Sequence, residues 1–114
     1  MNLGRGVYII GDGAKVQSST VSANFDGLRI LGAEARVQSS TASGNAFGGI
    51  IVNGDAAVIK GNRAEANGFG SGLTAASDFD GTGILVTGYT TAPTGKNTAR
   101  GNDNPNECDP TNLC

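Results

Sequence analysis

GLRILGAEARVQSSTASGNAFGG, residues 27–49, decides the fold, because the segments on either side repeat its plan. Before it stands GVYIIGDGAKVQSSTVSANFDG (6–27), and after it GIIVNGDAAVIKGNRAEANGFG (49–70). The string VQSST occurs at Val16 and again at Val37, 21 residues on, and Ile59 takes the place of that valine 22 residues later. A looser fourth copy, GILVTGYTTAPTGKNTARGN, covers 83–102. A period of 21–22 residues held over four copies is the signature of a repeat architecture. Unrelated Asn-Gly turns between ordinary hairpins would not share this spacing.

Aligned, the copies form columns. Each opens on Gly and an alternating segment whose first position is Val7, Leu28, Ile50 or Ile84, and whose third is Ile9, Ile30, Val52 or Val86. One strictly apolar face at period two predicts a strand. Gly11, Gly32, Gly54 and Gly88 close it. A second short strand turns Ala14 and Val16, Ala35 and Val37, and Ala57 and Ile59 inward. Lys15, Arg36 and Lys60 then form an outward basic column, with Gln17 and Gln38 beside it. A third strand buries Val21, Ala42, Ala64 and Ala99 and ends on Asn24, Asn45, Asn67 and Asn102.

Three short strands in about 22 residues make one rung of a solenoid. No rung buries its apolar face alone, but stacking at ~4.8 Å supplies hydrogen-bond partners and a continuous core. The reading is an all-β, single-domain parallel β-helix of about four rungs, at 6–26, 27–48, 49–69 and 83–102. The Asn column predicts a ladder of stacked amides, each donating and accepting along the axis. Phe25, Phe47 and Phe69 follow those asparagines and predict a parallel aromatic stack.

Composition removes several function classes. The 114 residues suit one domain, and charged residues are 16%, below the roughly 25% of an average soluble domain. There is no His, which takes away the commonest general base and the commonest zinc ligand. A net charge of −2 speaks against nucleic acid as a main partner. No apolar run approaches the ~18 residues of a membrane span, so no membrane partner is expected. The opening MNLGRGVYII has no charged region followed by a sustained apolar one, so it does not read as a signal peptide.

The strand, Gly turn, strand and N-x-A-x-x-N pattern of GIIVNGDAAVIKGNRAEANGFG resembles the repeat of right-handed parallel β-helices, the pectate-lyase-like proteins and their carbohydrate-processing relatives. The resemblance covers about 6–102 and implies right-handed coiling. It also implies two kinds of chemistry: lyases of this fold pair a basic residue with carboxylates holding Ca²⁺, and its hydrolases use clustered carboxylates. The candidate acids are Asp12, Glu34 and Asp55, beside the turn glycines, with Asp78 and Asp80 in reserve. Stacked acids could share a cation such as Ca²⁺ or raise one another's pKa. Acids at turns are equally ordinary solvated residues. Lys15, Arg36 and Lys60 could grip an acidic polysaccharide, or simply keep a sheet soluble. Two functions follow as expectations: a non-catalytic module for self-assembly or carbohydrate binding, and, as the alternative, a carbohydrate-active lyase, hydrolase or epimerase.

Two segments leave the repeat. About 12 residues are inserted around 70–82, as a surface loop or as part of a binding face. The tail DNPNECDPTNLC (103–114) reads as a C-terminal cap, because Pro105 and Pro110 forbid another rung in register. Cys108 and Cys114 are spaced for a small disulfide loop, and with no His or further Cys a metal pair is the poorer reading. Asp103, Asn104, Asn106, Glu107 and Asp109 offer oxygen ligands without the spacing of known calcium loops. A disulfide implies an oxidising compartment, extracellular or periplasmic. Finally, Tyr8, Ile10, Leu31, Ile51 and Leu85 fall on the outward positions of the first strand and predict an apolar face that drives homo-oligomerisation, a dimer first of all, unless the insertion folds over it.

Overall fold

The computed structural model describes residues 6–68, 82–102 and 107–114. The chain is an all-β, right-handed solenoid of about four turns in which every strand pairing is parallel. The first rung holds β1 (Val7–Ile10), β2 (Lys15–Gln17) and β3 (Thr20–Ser22). The second holds β4 (Asp26–Leu31), β5 (Arg36–Gln38) and β6 (Thr41–Ser43). The third holds β7 (Gly48–Asn53), β8 (Val58–Lys60) and β9 (Arg63–Glu65). The fourth keeps β10 (Ile84–Thr87) and β11 (Thr98–Arg100), and β12 (Cys108–Asp109) with a 3-10 turn at Thr111–Leu113 closes the chain.

Like strands stack on like. The first sheet runs β1-β4-β7-β10-β12, the second β2-β5-β8 and the third β3-β6-β9-β11. Pairing follows the repeat column for column: Val7 opposes Leu28, Leu28 opposes Ile50, and Ile50 opposes Ile84. Parity therefore sends one face of all three sheets into a shared core, where Leu28, Ile30, Val37, Ile50, Val52, Ile59 and Ile84 are fully buried. Ala42 and Ala64 fill the narrow third side. In the fourth rung the second sheet dwindles to a single bridge between Val58 and Thr94. Pro93 precedes that bridge and has no N–H to extend the ladder.

The tail departs from the sequence expectation. Cys108 and Asp109 pair in register with Ile84 and Leu85, so the chain starts a fifth rung before it stops. Pro110 follows the strand rather than interrupting it, which leaves those two residues free to bond. Cys108 enters the core column of Ile84 and is joined by a disulfide to Cys114 across a Cα–Cα distance of 6.0 Å. Leu113, fully buried, plugs the end of the core. No helix among the described residues is long and apolar enough to cross a membrane.

Candidate functional site

The corners between sheets fix the outer side chains. Single residues in left-handed conformation make them: Ser18 and Ser39 in one column, Ala23, Gly44, Ala66 and Gly101 in another. The residue after each bends inward, and two polar ladders result. In the main one, the backbone N–H and Nδ2 of Asn45 both donate to Asn67 Oδ1, at 3.1 and 2.9 Å. Asn67 donates in the same way to Asn102 Oδ1, at 2.9 and 2.8 Å. The Asn24 N–H donates to Asn45 Oδ1 at 3.1 Å. Every amide points the same way along the axis. Glu107, whose Oε2 accepts from Asn102 Nδ2 at 2.6 Å, ends the series with a carboxylate. The Nδ2 groups of Asn45, Asn67 and Asn102 also donate to a carbonyl one rung back, as Asn67 does to Ala42 at 3.1 Å, whereas Asn24 Nδ2 donates to Ser22 in its own rung.

A second ladder, which the sequence columns do not predict, runs along the other corner. Ser19 N–H donates to Ser40 Oγ, Ser40 N–H to Asn62 Oδ1, and both nitrogens of Asn62 to Asn97 Oδ1. Asn97 Nδ2 then reaches the carbonyl of Leu113 at 2.8 Å, which ties this ladder to the terminal plug. The residues keep the spacing of the repeat but change type from Ser to Asn, which hides the column from a search for identical letters.

Among the described residues the candidate acids Asp12, Glu34 and Asp55 form no metal-holding cluster. Asp12, Ala33 and Asp55 stack in one column across three rungs, as the bonds from Gly13 N–H to the Ala33 carbonyl and from Glu34 N–H to the Asp55 carbonyl show. Glu34 stands one residue further along the turn, in left-handed conformation at φ 59°. Asp12 Oδ1 accepts the Ala33 N–H at 2.9 Å. Asp55 accepts from the N–H groups of Thr90 and Thr91 and from the Thr90 hydroxyl. Both carboxylates thus cap the turn of the next rung. The Thr91 N–H foremost holds the Asp55 carboxyl below its ordinary value; desolvation, next in size, opposes it, and the Thr90 N–H, the Thr90 hydroxyl and the Ala56 N–H add to the lowering. Its stabilisation is fully present above the ordinary value of 3.8 and lost as pH falls through the lowered one. An NMR titration of the Asp55 carboxyl should therefore give a midpoint below 3.8; a midpoint at or above it would contradict this cap.

Glu34 instead joins Lys15 and Arg36 in a shallow groove of about 640 Å³, with Gly13, Ala56 and Val58 along its walls. Lys15 and Arg36 are direct neighbours in the second sheet, but Lys60 is not in their column. Val58 follows Arg36, and Lys60 follows Gln17 and Gln38. Alternation places all three cations outward without fixing which column each enters.

On the outward positions of the first sheet, Tyr8 opposes Arg29 and then Ile51 and Leu85, while Ile10 opposes Leu31 and then Asn53 and Thr87. Tyr8 and Ile10 are 44% and 72% exposed and Leu31 is half-buried, whereas Ile51 and Leu85 retain only 5% and 3% of their surface. The expected face of five apolar residues is therefore open only over its first two rungs. Farther along, Arg29, Phe47, Asn53 and Thr87 edge a second groove whose apolar lining is Ile51 and Leu85. Phe25 and Phe47 stack at 5.5 Å with planes 16° apart. Phe69, Asp78, Asp80, Asp103, Asn104 and Asn106 lie outside the described residues, as does nearly all of the insertion. Among the described residues no group of three or more acids and cysteines is arranged to hold a metal ion, Ca²⁺ included.

Residues 2–105 match the family described as "Right handed beta helix region". No curated protein and no solved structure matches the chain.

Proposed function

We propose, from the premise that this chain belongs to the right-handed beta-helix family, that it is a non-catalytic module whose copies assemble through the outer face of the first sheet. The fold itself is neutral as to activity, so the outer faces must carry the argument. The observation that carries it is the pair Ile10, 72% exposed, and Tyr8, 44% exposed, beside half-buried Leu31 on a rigid sheet. Such a strip loses water favourably against a copy of itself, and a two-fold pairing buries it in a closed dimer. An enzyme of the lyase, hydrolase or epimerase kind needs carboxylates and a base converging in one groove. Among the described residues the groove at Lys15 has Glu34 as its one carboxylate, while Asp12 and Asp55 are engaged with backbone. The disulfide supports work in an oxidising compartment, extracellular or periplasmic.

A carbohydrate-binding reading has its own support in the groove of Arg29, Phe47, Asn53 and Thr87, which sets an aromatic ring among polar groups. Light scattering coupled to gel filtration at micromolar protein tests the assembly reading. The expected mass is a multiple of the 11.4 kDa chain, with Ile10→Asp returning it to a single chain. A wild-type species of 11.4 kDa would sink the assembly reading and leave the groove as the functional face.

A further inference from the structure

The corner between the second and third sheets follows one pattern in three rungs and breaks it in the fourth. Ser18, Ser39 and Gly61 turn it in left-handed conformation, at φ 51°, 52° and 66°. Each of them donates its N–H to the rung beyond: Ser18 to the Gln38 carbonyl, Ser39 to that of Lys60 and Gly61 to that of Lys96. Lys96 therefore stands in the column of Gln38 and Lys60. Asn97 takes the place of Asn62 in the second ladder, and Thr98 opposes Arg63. The fourth rung thus passes straight from Lys96 to Asn97, with no counterpart of Gly61. The missing residue leaves a notch over Gly61, a shallow groove of about 310 Å³ walled by Gly61, Asn62, Arg63, Lys96, Asn97 and Thr98.

The walls of the notch are rich in donors, and among the described residues no carboxylate lines it. Lys96 makes no ion pair among those residues. Arg63 gives its Nε to Glu65 Oε1, which also takes the Nε of Arg100, so two guanidiniums share one negative charge. The Nη groups of Arg63 are left over for another anion. The Asn97 N–H is the last of its series. Its equivalents at Ser19, Ser40 and Asn62 each donate to a side-chain oxygen of the next rung, and among the described residues no such oxygen follows Asn97. We propose that this notch binds a phosphate group, free or as the monoester of a larger molecule. Such a group offers three acceptor oxygens and nearly two negative charges at neutral pH. The Nη pair of Arg63 suits two of the oxygens, and Lys96 meets the third as a point charge. The Thr98 hydroxyl and the Asn97 N–H add neutral donors, and the open side of the groove leaves room for an ester group. The notch is separate from the apolar strip on the first sheet, and Ile10→Asp leaves it intact.

The test is an NMR titration of the isotope-labelled full chain at neutral pH and constant ionic strength. The probes are inorganic phosphate, a short uncharged peptide carrying one phosphoserine, and sulfate. The expected result is a saturable shift of the Gly61, Asn97 and Thr98 amides and of the Arg63 Nε signal, with the Lys15 and Arg36 amides unmoved. Equal affinity for phosphate and phosphopeptide assigns the phosphoryl group as the whole ligand, and tighter binding of the peptide assigns the monoester. Lys96→Gln and Arg63→Gln should each weaken binding about tenfold, or about 1.4 kcal/mol. Arg36→Gln removes the same charge from another place and should leave affinity within about twofold. A glycine inserted between Lys96 and Asn97 restores the corner of the lower rungs, fills the notch and should abolish the shifts. Unchanged thermal midpoints show that the variants remain folded; if the insertion lowers its midpoint, the three substitutions decide. Shifts that never saturate, equal losses from Lys96→Gln and Arg36→Gln, full binding by a folded insertion variant, or tighter binding of sulfate than of phosphate would each overturn the proposal.

Discussion

Replacing Asn67 with alanine is expected to destabilise the protein by about 3–5 kcal/mol, at the far end of single-residue effects. Asn67 is fully buried, and four groups depend on its amide. The Asn45 N–H and Nδ2 lose their acceptor, the Ala42 carbonyl loses a donor, and Asn102 Oδ1 loses one of two. Each buried group left unpaired costs about 1–3 kcal/mol, and water entering the small gap recovers part of the sum. Asn53→Ala is the companion variant, since Asn53 is exposed on the first sheet and should change stability by less than about 0.5 kcal/mol. Urea unfolding of both proteins gives the comparison. Similar small shifts in the two midpoints would show that the ladder is ornament rather than support.

Gly54→Ala should cost at least as much, about 4 kcal/mol or more, by a different route. A Cβ at Gly54 would fall on the carbonyl oxygen of Gly32 in the rung behind it, and backbone cannot rotate aside as a flexible side chain does. The strands leaving that corner would have to part. Gly44→Ala separates this clash from mere loss of conformational freedom. Gly44 is left-handed at φ 62° and a Cβ there meets nothing within 4 Å. Ala23 and Ala66 already adopt that conformation in the same column, so the cost should be about 1 kcal/mol. Equal midpoints for the two glycine variants would contradict the close stacking of corners at Gly32 and Gly54.

What could be read from the sequence was whatever every rung repeats. Val16, Val37 and Ile59 announce a core column, and Asn45 and Asn67 announce an inward polar one, because stacking demands like residues at like positions. Residues that share a role under different letters escaped, as Ser40 and Asn62 did in the second ladder. The match of Lys60 to Arg36 is one of charge and not of position, so alternation gives its face and not its column. Ile51 and Leu85 escaped for another reason. Their parity is outward, and parity carries no information about what lies over a sheet. The start of a fifth strand at Cys108 was hidden by prolines that bound the segment without entering it.

The one-way run of amides from Asn24 to Glu107 makes the length of this protein a counting number. A copied turn such as 27–48 brings its own asparagine, which takes a proton donor from the turn before and offers one to the turn after. The new turn can therefore be spliced in at any level without reversing a single amide, and the carboxylate that halts the series still meets the last member. An added stretch of any other size keeps the ladder only where the next asparagine returns to register, as Asn102 does 35 residues after Asn67. Whole-turn duplication is the change of length that adds a rung to the coil and a member to the ladder together.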